Sequence, residues 1–296
     1  MDKKIVEKYR KAGRIAAEAR DYGESLVKED ALLLDAAEKV EKYILEKGAK
    51  PAFPVNIGIN DVAAHYTPRH DDKTVFRKGE IVKIDVGAHV DGYIGDTADT
   101  VEVGTNNYES MIKASKEALS VAVELIKPDV DLSVVGAGIE TTIRSYNFVS
   151  VENLTGHSLK QYRLHAGKSV PNIRTNVKEK IKKDDVLAVE PFATNGAAGR
   201  VGGKTGGNIY RLLRDREPKT ENSKKLLKYI KENFLVLPFA ERWCMDIVDN
   251  VDAVLRELMR EMIITGYPVL RETGGGMVTQ AEHTVIVMEN GAEVTT

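Results

Sequence analysis

The 296-residue sequence predicts an α+β fold in which an antiparallel sheet is flanked by helices, with a helical segment inserted late in the chain. Three observations indicate this class. Apolar residues recur at helical spacing before residue 48, strand-like runs joined by a hairpin turn follow, and a second series of helices and strands comes after them. We expect residues 1–207 and 267–296 to form the main domain and residues 208–266 the helical insert.

The individual elements follow from local periodicity. Apolar positions three and four residues apart predict a helix from residue 2 and a second one over Ala31–Glu46, stopped by Gly48 and Pro51. The later predicted helices are Glu109–Lys127, Val134–Arg144 and, in the insert, Ser223–Phe234 and Asp249–Ile264. The predicted strands are Val55–Ile59, Ile81–Gly87, Tyr93–Val103, Val186–Phe192 and His283–Met288.

Composition excludes several classes of protein. Lys and Arg number 43 against 45 Asp and Glu, so the net charge of −2 argues against a general nucleic-acid binder. The 42% hydrophobic and 30% charged residues exclude a disordered chain. A single cysteine, Cys244, excludes an intramolecular disulfide and a Cys-based zinc site, and we expect it to be buried. No apolar run is long enough to span a bilayer, so we expect a cytoplasmic protein with no membrane partner and no specific nucleic-acid partner.

A hairpin carries the first two candidate functional residues. With Asp91–Gly92 as a two-residue loop, Asp85 lies opposite Ala98 and Gly87 lies opposite Asp96. Asp85 and Asp96 are then diagonal neighbours on one face of the sheet. Two carboxylates at this spacing repel each other unless a proton or a cation lies between them. The sequence therefore favours a metal site, and a solvated hairpin face with two surface acids is the alternative.

Further acids and imidazoles occur at the ends of apolar strands. His157 and His165 lie in Gly-His-Ser and Leu-His-Ala segments, Glu190 ends an apolar strand, and Glu282 begins another. Each alone fits a strand-end surface residue. Together with the hairpin acids they provide four carboxylates and one imidazole, which is a ligand set for two divalent ions.

Several segments, taken in order, resemble the methionine aminopeptidases, of the type 2 class and the short archaeal kind. The matching segments are Phe53–Asn56, Ala63–Pro68, Ile84–Gly87, Asp96–Ala98, Leu154–Ser158, His165–Lys168, Ala188–Phe192 and Gln280–Thr284. The resemblance implies the pseudo-symmetric "pita-bread" fold with two divalent ions, Co, Mn, Fe or Zn, in its central cleft. It assigns Asp85 to one ion, His157 and Glu190 to the other, and makes Asp96 and Glu282 bridging ligands.

The resemblance also implies an activity. In this family a water or hydroxide that bridges the metals attacks the scissile carbonyl, and Glu190 would shuttle the proton. His165 would contact the carbonyl oxygen and His65 the side of the peptide nitrogen. The positions that line the family's methionine pocket are occupied by Phe53, Leu164 and Tyr267. Where eukaryotic members carry a histidine before a tyrosine, this sequence has Ile209, which alters one pocket contact.

The implied reaction is removal of the initiator methionine from nascent polypeptide N-termini, near the ribosome, where the second residue is small. We expect a monomer. Three alternatives are open. Ala198–Thr205 fits a relaxed phosphate-loop pattern of an NTPase, although Pro218 soon interrupts any following helix. Another pita-bread peptidase, such as a prolidase or aminopeptidase P, usually carries an extra N-terminal domain. A non-catalytic homologue could bind protein or RNA through the lysines of the insert, but acids dilute that patch.

Overall fold

The computed structural model describes residues 1–176, 178–204 and 206–296. Within these residues there are six α-helices and one 3₁₀ helix at Glu241–Cys244. The α-helices are α1 (Lys3–Leu26), α2 (Leu33–Glu46), α3 (Glu109–Leu125), α4 (Leu132–Ser145), α5 (Glu221–Asn233) and α6 (Val251–Arg260). All four helices predicted outside the insert are confirmed, and so is the α+β class.

The strands form five antiparallel sheets in the described residues. The strands of the first half are β1 (Lys50–Pro51), β2 (Asn56–Ile59), β3 (Val62–Ala64), β4 (Ile81–Val90), β5 (Tyr93–Glu102), β6 (Val149–Ser150), β7 (Thr155–Ser158), β8 (Ser169–Pro171) and β9 (Val186–Val189). Those of the second half are β10 (Phe192–Thr194), β11 (Val201–Lys204), β12 (Ile209–Leu212), β13 (Phe239–Ala240), β14 (Ile264–Gly266), β15 (Val269–Glu272), β16 (Val278–Gln280), β17 (His283–Val287) and β18 (Ala292–Val294).

Two helix pairs cover two sheets in a similar way. Helix α1 packs on α2 and on the long β4–β5 hairpin, and these elements share one hydrophobic core. Helices α3 and α4 pack on each other and beside the five-stranded sheet β18-β17-β9-β7-β8, and these elements share a second core. This arrangement gives the chain two comparable halves that meet at β5 and β17.

The 208–266 segment has a core of its own, built from α5, α6 and the chain around Cys244, which is buried. Both predicted helices form, but α6 ends at Arg260 instead of continuing to Ile264. Met262 adopts a left-handed backbone conformation with φ of 54°, and the chain then enters β14. The three-stranded sheet β13-β12-β14 is an addition that the helical periodicity did not predict.

One predicted strand is divided in the structure. The expected run Val186–Phe192 forms β9 and β10, which belong to different sheets. Pro191 separates them, since proline has no backbone N–H to continue a ladder. The break leaves Glu190 at the end of β9, where its side chain can face the cleft.

The glycine-rich run considered as a phosphate loop is largely a strand. Val201–Lys204 forms β11 and pairs with β15, so Gly202 and Gly203 belong to a sheet and do not form an open loop. The last residue of that pattern, Thr205, lies outside the described residues. None of the helices in the described parts of the chain has the length and apolar character needed to cross a membrane.

Candidate active site

The β4–β5 hairpin holds the first two acids as the sequence predicts. Asp85 pairs with Ala98 and Gly87 with Asp96, in an unbroken antiparallel ladder. The loop residues Asp91 and Gly92 both have positive φ, 51° and 83°, as a tight two-residue turn requires. The turn and the period-two alternation of side chains therefore bring both carboxylates to one face.

The other half of the molecule supplies three more candidate ligands. In the β9–β17 pair, Val189 lies opposite His283, and continuing this register by one residue places Glu190 beside Glu282. His157 pairs with Ala188 on the other edge of β9. Three neighbouring strands thus present these side chains at one end of the five-stranded sheet.

Hydrogen bonds fasten the two halves at this point. The backbone N–H of Glu282 donates to the Ala98 carbonyl at 2.9 Å, and the Thr97 hydroxyl donates to the Glu282 carbonyl at 2.8 Å. The Thr284 hydroxyl accepts from the Asp96 N–H at 2.8 Å. The hairpin acids and the sheet acids are consequently held by a shared backbone framework.

The five predicted metal ligands converge. His157 Nε2 lies 3.7 Å from Asp96 Oδ2 and 3.7 Å from Glu190 Oε1. Ligand atoms of Asp96, His157 and Glu282 all lie within 4.8 Å of one another. Asp96 and Glu282 are only 3% and 2% exposed, so this group lies away from bulk water.

The electrostatics of this group fit a cation. Burial raises the pKa of Asp85 to about 7, and burial with mutual repulsion raises the pKa values of Asp96, Glu190 and Glu282 well above their usual range. Burial lowers the pKa of His157 to about 3, which leaves a neutral imidazole, the form that binds metals. Asp85 Oδ1 and His157 Nδ1 are buried and have no hydrogen-bond partner. Buried carboxylates at this density need positive charge between them, so the donor set suits divalent ions.

Gln280 is a member of the site to which the sequence interpretation gave no role. Its side-chain amide donates to Glu282 Oε2 at 3.2 Å and to Glu190 Oε2 at 3.4 Å. It also lowers the pKa of Asp85 by hydrogen bonding, against the larger effect of burial. Gln280 lies two residues before Glu282, and that spacing on an extended chain was the available signal.

Two further histidines flank the acidic group. His65 has a left-handed backbone with φ of 65°, and its ring packs edge-on against Tyr267 at 5.1 Å between centroids. Burial lowers the pKa of His65 to about 4. The ring of His165 lies 4.4 Å from that of His157, and partial burial together with the Arg211 charge lowers the pKa of His165. Both rings are therefore neutral at pH 7. His65 Nδ1 lies 3.3 Å from the Pro268 carbonyl oxygen, which can only accept, so the other ring nitrogen of His65 is an acceptor. His165 can offer an N–H donor.

All ten residues predicted for the site line one cavity of about 220 Å³. The others that line it are Asn56, Ala64, Asn153, Leu154, Thr155, Ile209 and Pro238. Phe53, Leu164 and Tyr267 form much of its apolar wall. The Phe53 ring lies so close to Gly87 that a Cβ there would be 2.2 Å from Phe53 Cε1. Ile209 and Pro238 come from the 208–266 segment, so this segment completes the wall.

Carboxylates and an imidazole grouped in this way can hold divalent ions that activate water, and the apolar cavity beside them can accept a side chain. The site therefore has the composition expected of a metal-dependent hydrolase. Residues 7–217 match the metallopeptidase family M24. The chain belongs to metallopeptidase family M24. It is 43% identical over 296 residues to a methionine aminopeptidase of Archaeoglobus fulgidus, with 100% of both chains covered. It is 45% identical to a methionine aminopeptidase of Thermococcus kodakarensis, with 97% of each covered. These relatives confirm the resemblance to archaeal methionine aminopeptidases.

Solved structures share the fold. A methionine aminopeptidase from Thermotoga maritima superposes with a TM-score of 0.75 at 23% identity, covering 100% of this chain and 98% of that one. A thermophilic Arx1 gives 0.88 at 19% identity, with coverages of 100% and 91%. A prolidase from Pyrococcus furiosus gives 0.64 at 19% identity, with coverages of 100% and 64%. The pita-bread fold is confirmed.

Proposed function

We propose that this protein is a methionine aminopeptidase that removes the N-terminal methionine from peptides and nascent proteins. One observation carries the proposal: the same cavity is lined by the five proposed metal ligands and by an apolar wall of Phe53, Leu164 and Tyr267. Flexible thioether side chains suit such a wall. The full-length relatives that carry the name methionine aminopeptidase support it.

The ligand set fits two divalent ions, and we propose Asp85, Asp96, His157, Glu190 and Glu282 as their ligands. Asp96 and Glu282 are the most buried of the four carboxylates, and together with Asp85, Glu190 and His157 they would hold the ions. When bound, such ions supply Lewis-acid polarisation of a carbonyl and a lowered pKa for water. Co, Mn, Fe and Zn are all compatible with mixed carboxylate and imidazole ligands.

The remaining polar groups orient the substrate and move the proton. Glu190 lies at the cavity wall, so its carboxylate can accept a proton and return it to the leaving amine. His165, neutral at pH 7, can donate an N–H to the carbonyl oxygen as negative charge develops there. His65 lies beside Tyr267 and would contact the peptide nitrogen.

The volume of the cavity limits the size of the residue that follows the methionine in the substrate. A volume of about 220 Å³ leaves little space once a methionine side chain is bound, so the second residue should be small. We propose that the substrates are N-termini of new polypeptides in the cytoplasm, close to the ribosome, and that the enzyme acts as a monomer.

The test uses purified chain that is stripped with chelator and reloaded with Mn²⁺ or Co²⁺ under anaerobic conditions. Methionine release from Met-Gly-type peptides should depend on metal, exceed release from Met-Leu-type peptides, and fall at least a hundredfold in Glu282→Ala. Glu289→Ala, a change at an exposed acid outside the cavity, serves as the matched control and should leave release unchanged. A folded chain that releases no methionine with any metal would contradict the proposal and favour a non-catalytic binding homologue. Faster cleavage of Pro-containing dipeptides would favour a prolidase.

A further inference from the structure

Arg211 lies on the strand that forms one wall of the cavity. Ile209 and Arg211 are two residues apart on β12, so both side chains point to the same face of that strand. Ile209 lines the cavity, and its carbonyl accepts from the Tyr267 N–H at 2.9 Å. Arg211 is therefore the next residue on this face of β12, beyond the residues that line the cavity.

Exposure increases along this wall. Ile209, Asp96 and Glu282 are almost fully buried, Asp85, Glu190 and Tyr267 are half-buried, and Arg211 is exposed. The Arg211 guanidinium lies 6.0 Å from the centre of the Tyr267 ring. The Arg211 charge also lowers the pKa of His165, although burial has the larger effect on that pKa. The positive charge thus lies beside Tyr267, at the more exposed end of the cavity wall, and its electrostatic effect extends to His165.

Nearby acids do not neutralise this charge. Asp215 forms an ion pair with Lys231, and Glu217 lies 3.3 Å from Lys224. Among the residues that the structure describes, no carboxylate lies within ion-pair distance of the Arg211 side chain. A negative group that enters with a ligand would meet an available cation here.

We propose that Arg211 is a specificity residue that senses the charge of the substrate just beyond the scissile bond. The inference rests on the proposed function. With the N-terminal methionine against the buried apolar wall, the rest of the peptide has to leave through the open end and pass Arg211. Peptides with an acidic third or fourth residue are favoured and those with lysine or arginine there are disfavoured. Because exposed ion pairs are weak, the preference in kcat/KM is about two- to fivefold.

The experiment compares three peptides that differ in one side chain, Met-Ala-Asp-Ser, Met-Ala-Asn-Ser and Met-Ala-Lys-Ser. Each has an amidated C-terminus, so that the only variable charge is at the third residue. With the Mn²⁺-loaded chain, kcat/KM should fall in the order Asp, Asn, Lys, and the spread should narrow at high salt. Arg211→Gln should remove the order, Arg211→Glu should reverse it, and Arg211→Lys should keep it. Arg214→Glu makes the same charge change three residues away and should keep the wild-type order.

The outcomes separate the two proposals. Equal kcat/KM for the three peptides in the wild-type chain overturns the role of Arg211 while the aminopeptidase assignment stands. If Arg211→Gln lowers kcat/KM by the same factor for all three peptides, Arg211 is a structural support for Tyr267, and the proposal is also overturned. No methionine release from any peptide overturns both. Thermal unfolding of each variant checks that the chain is folded.

Discussion

The side-chain amide of Gln280 donates to Glu282 Oε2 at 3.2 Å, and the same nitrogen lies 3.4 Å from Glu190 Oε2. One buried neutral donor thus contacts two of the four clustered carboxylates. It fixes the orientation of oxygens that would otherwise repel each other, without adding a charge. Substitution of residues that orient metal ligands in this way typically weakens metal binding.

Substitution of Gln280 should weaken metal binding without preventing folding. Gln280→Met removes the donor at similar volume, and we expect about 10- to 100-fold weaker binding of Mn²⁺. Gln280→Glu adds a fifth carboxylate, which should raise the pKa values of its neighbours further and make metal binding more dependent on pH. Calorimetric titration of the stripped chain measures both. Unchanged affinity in Gln280→Met would show that the contact does not orient the ligands.

The clustered acids should make the metal-free chain less stable as pH rises. The folded-state pKa of Asp85 is about 7, above the value near 4 of an unfolded aspartate, so the folded chain holds an extra proton between these values. The contribution of Asp85 to the free energy of unfolding is fully present below pH 4 and is lost as pH rises through 7. Asp96, Glu190 and Glu282 shift in the same direction.

Thermal unfolding in chelator at pH 5 to 8 measures this effect. The melting temperature should decrease with pH, and Mn²⁺ should raise it most at pH 8. Asp96→Asn removes one charge from the cluster, so the melting temperature should depend less steeply on pH and should rise less when metal is added. Asp215→Asn, at an exposed position, is the control. Equal slopes in the wild type and Asp96→Asn would contradict the electrostatic argument.

The parts of the site that depend on local geometry could be predicted from the sequence. A two-residue Asp91–Gly92 turn fixes the hairpin register, and the period of two then places Asp85 and Asp96 on one face. The family resemblance completed the set of ten site residues by adding Phe53, His65, Leu164 and Tyr267, and the structure brings all ten to one cavity. Their individual catalytic roles stay predictions.

Other features depend on contacts between distant segments, which periodicity does not encode. Gln280 is two residues from Glu282, but its contact with Glu190 spans 90 residues. The break at Pro191 moves the chain between two sheets, whereas the apolar run suggested one strand. Pro238 reaches the cavity from the 208–266 segment, and no local pattern marks it as a wall residue.

Gly87→Ala should disturb the apolar wall specifically. A Cβ at this position would be 2.2 Å from Phe53 Cε1, so the ring must move. Phe53 lines the cavity, and its displacement should raise KM for methionine peptides several-fold more than it lowers kcat. Overpacking of this kind also costs about 1–3 kcal/mol of unfolding free energy. Gly291→Ala, where nothing lies within 4 Å of the new atom, should leave both quantities unchanged.

Glu41 and Arg242 join helix α2 to the 208–266 segment through a buried ion pair. Glu41 also accepts from the Val55 N–H at 3.1 Å, and Arg242 donates to Thr67 Oγ1 at 2.8 Å. These contacts tie the pair to the loops on either side of β2 and β3, next to Phe53 and His65. The pair therefore fixes loops that line the cavity.

Substitution of only one partner of this ion pair should lower the unfolding free energy strongly. Glu41→Gln or Arg242→Met leaves an uncompensated buried partner, and we expect a loss of about 3–5 kcal/mol in unfolding free energy. The double variant Glu41→Gln/Arg242→Met removes both charges and should lose clearly less than the sum of the single losses. Denaturant unfolding of the four chains gives the coupling energy. The exposed pair Lys42 and Glu46, treated in the same way, should couple by less than about 1 kcal/mol. Additive losses at Glu41 and Arg242 would mean that the contact contributes no coupling between α2 and the 208–266 segment.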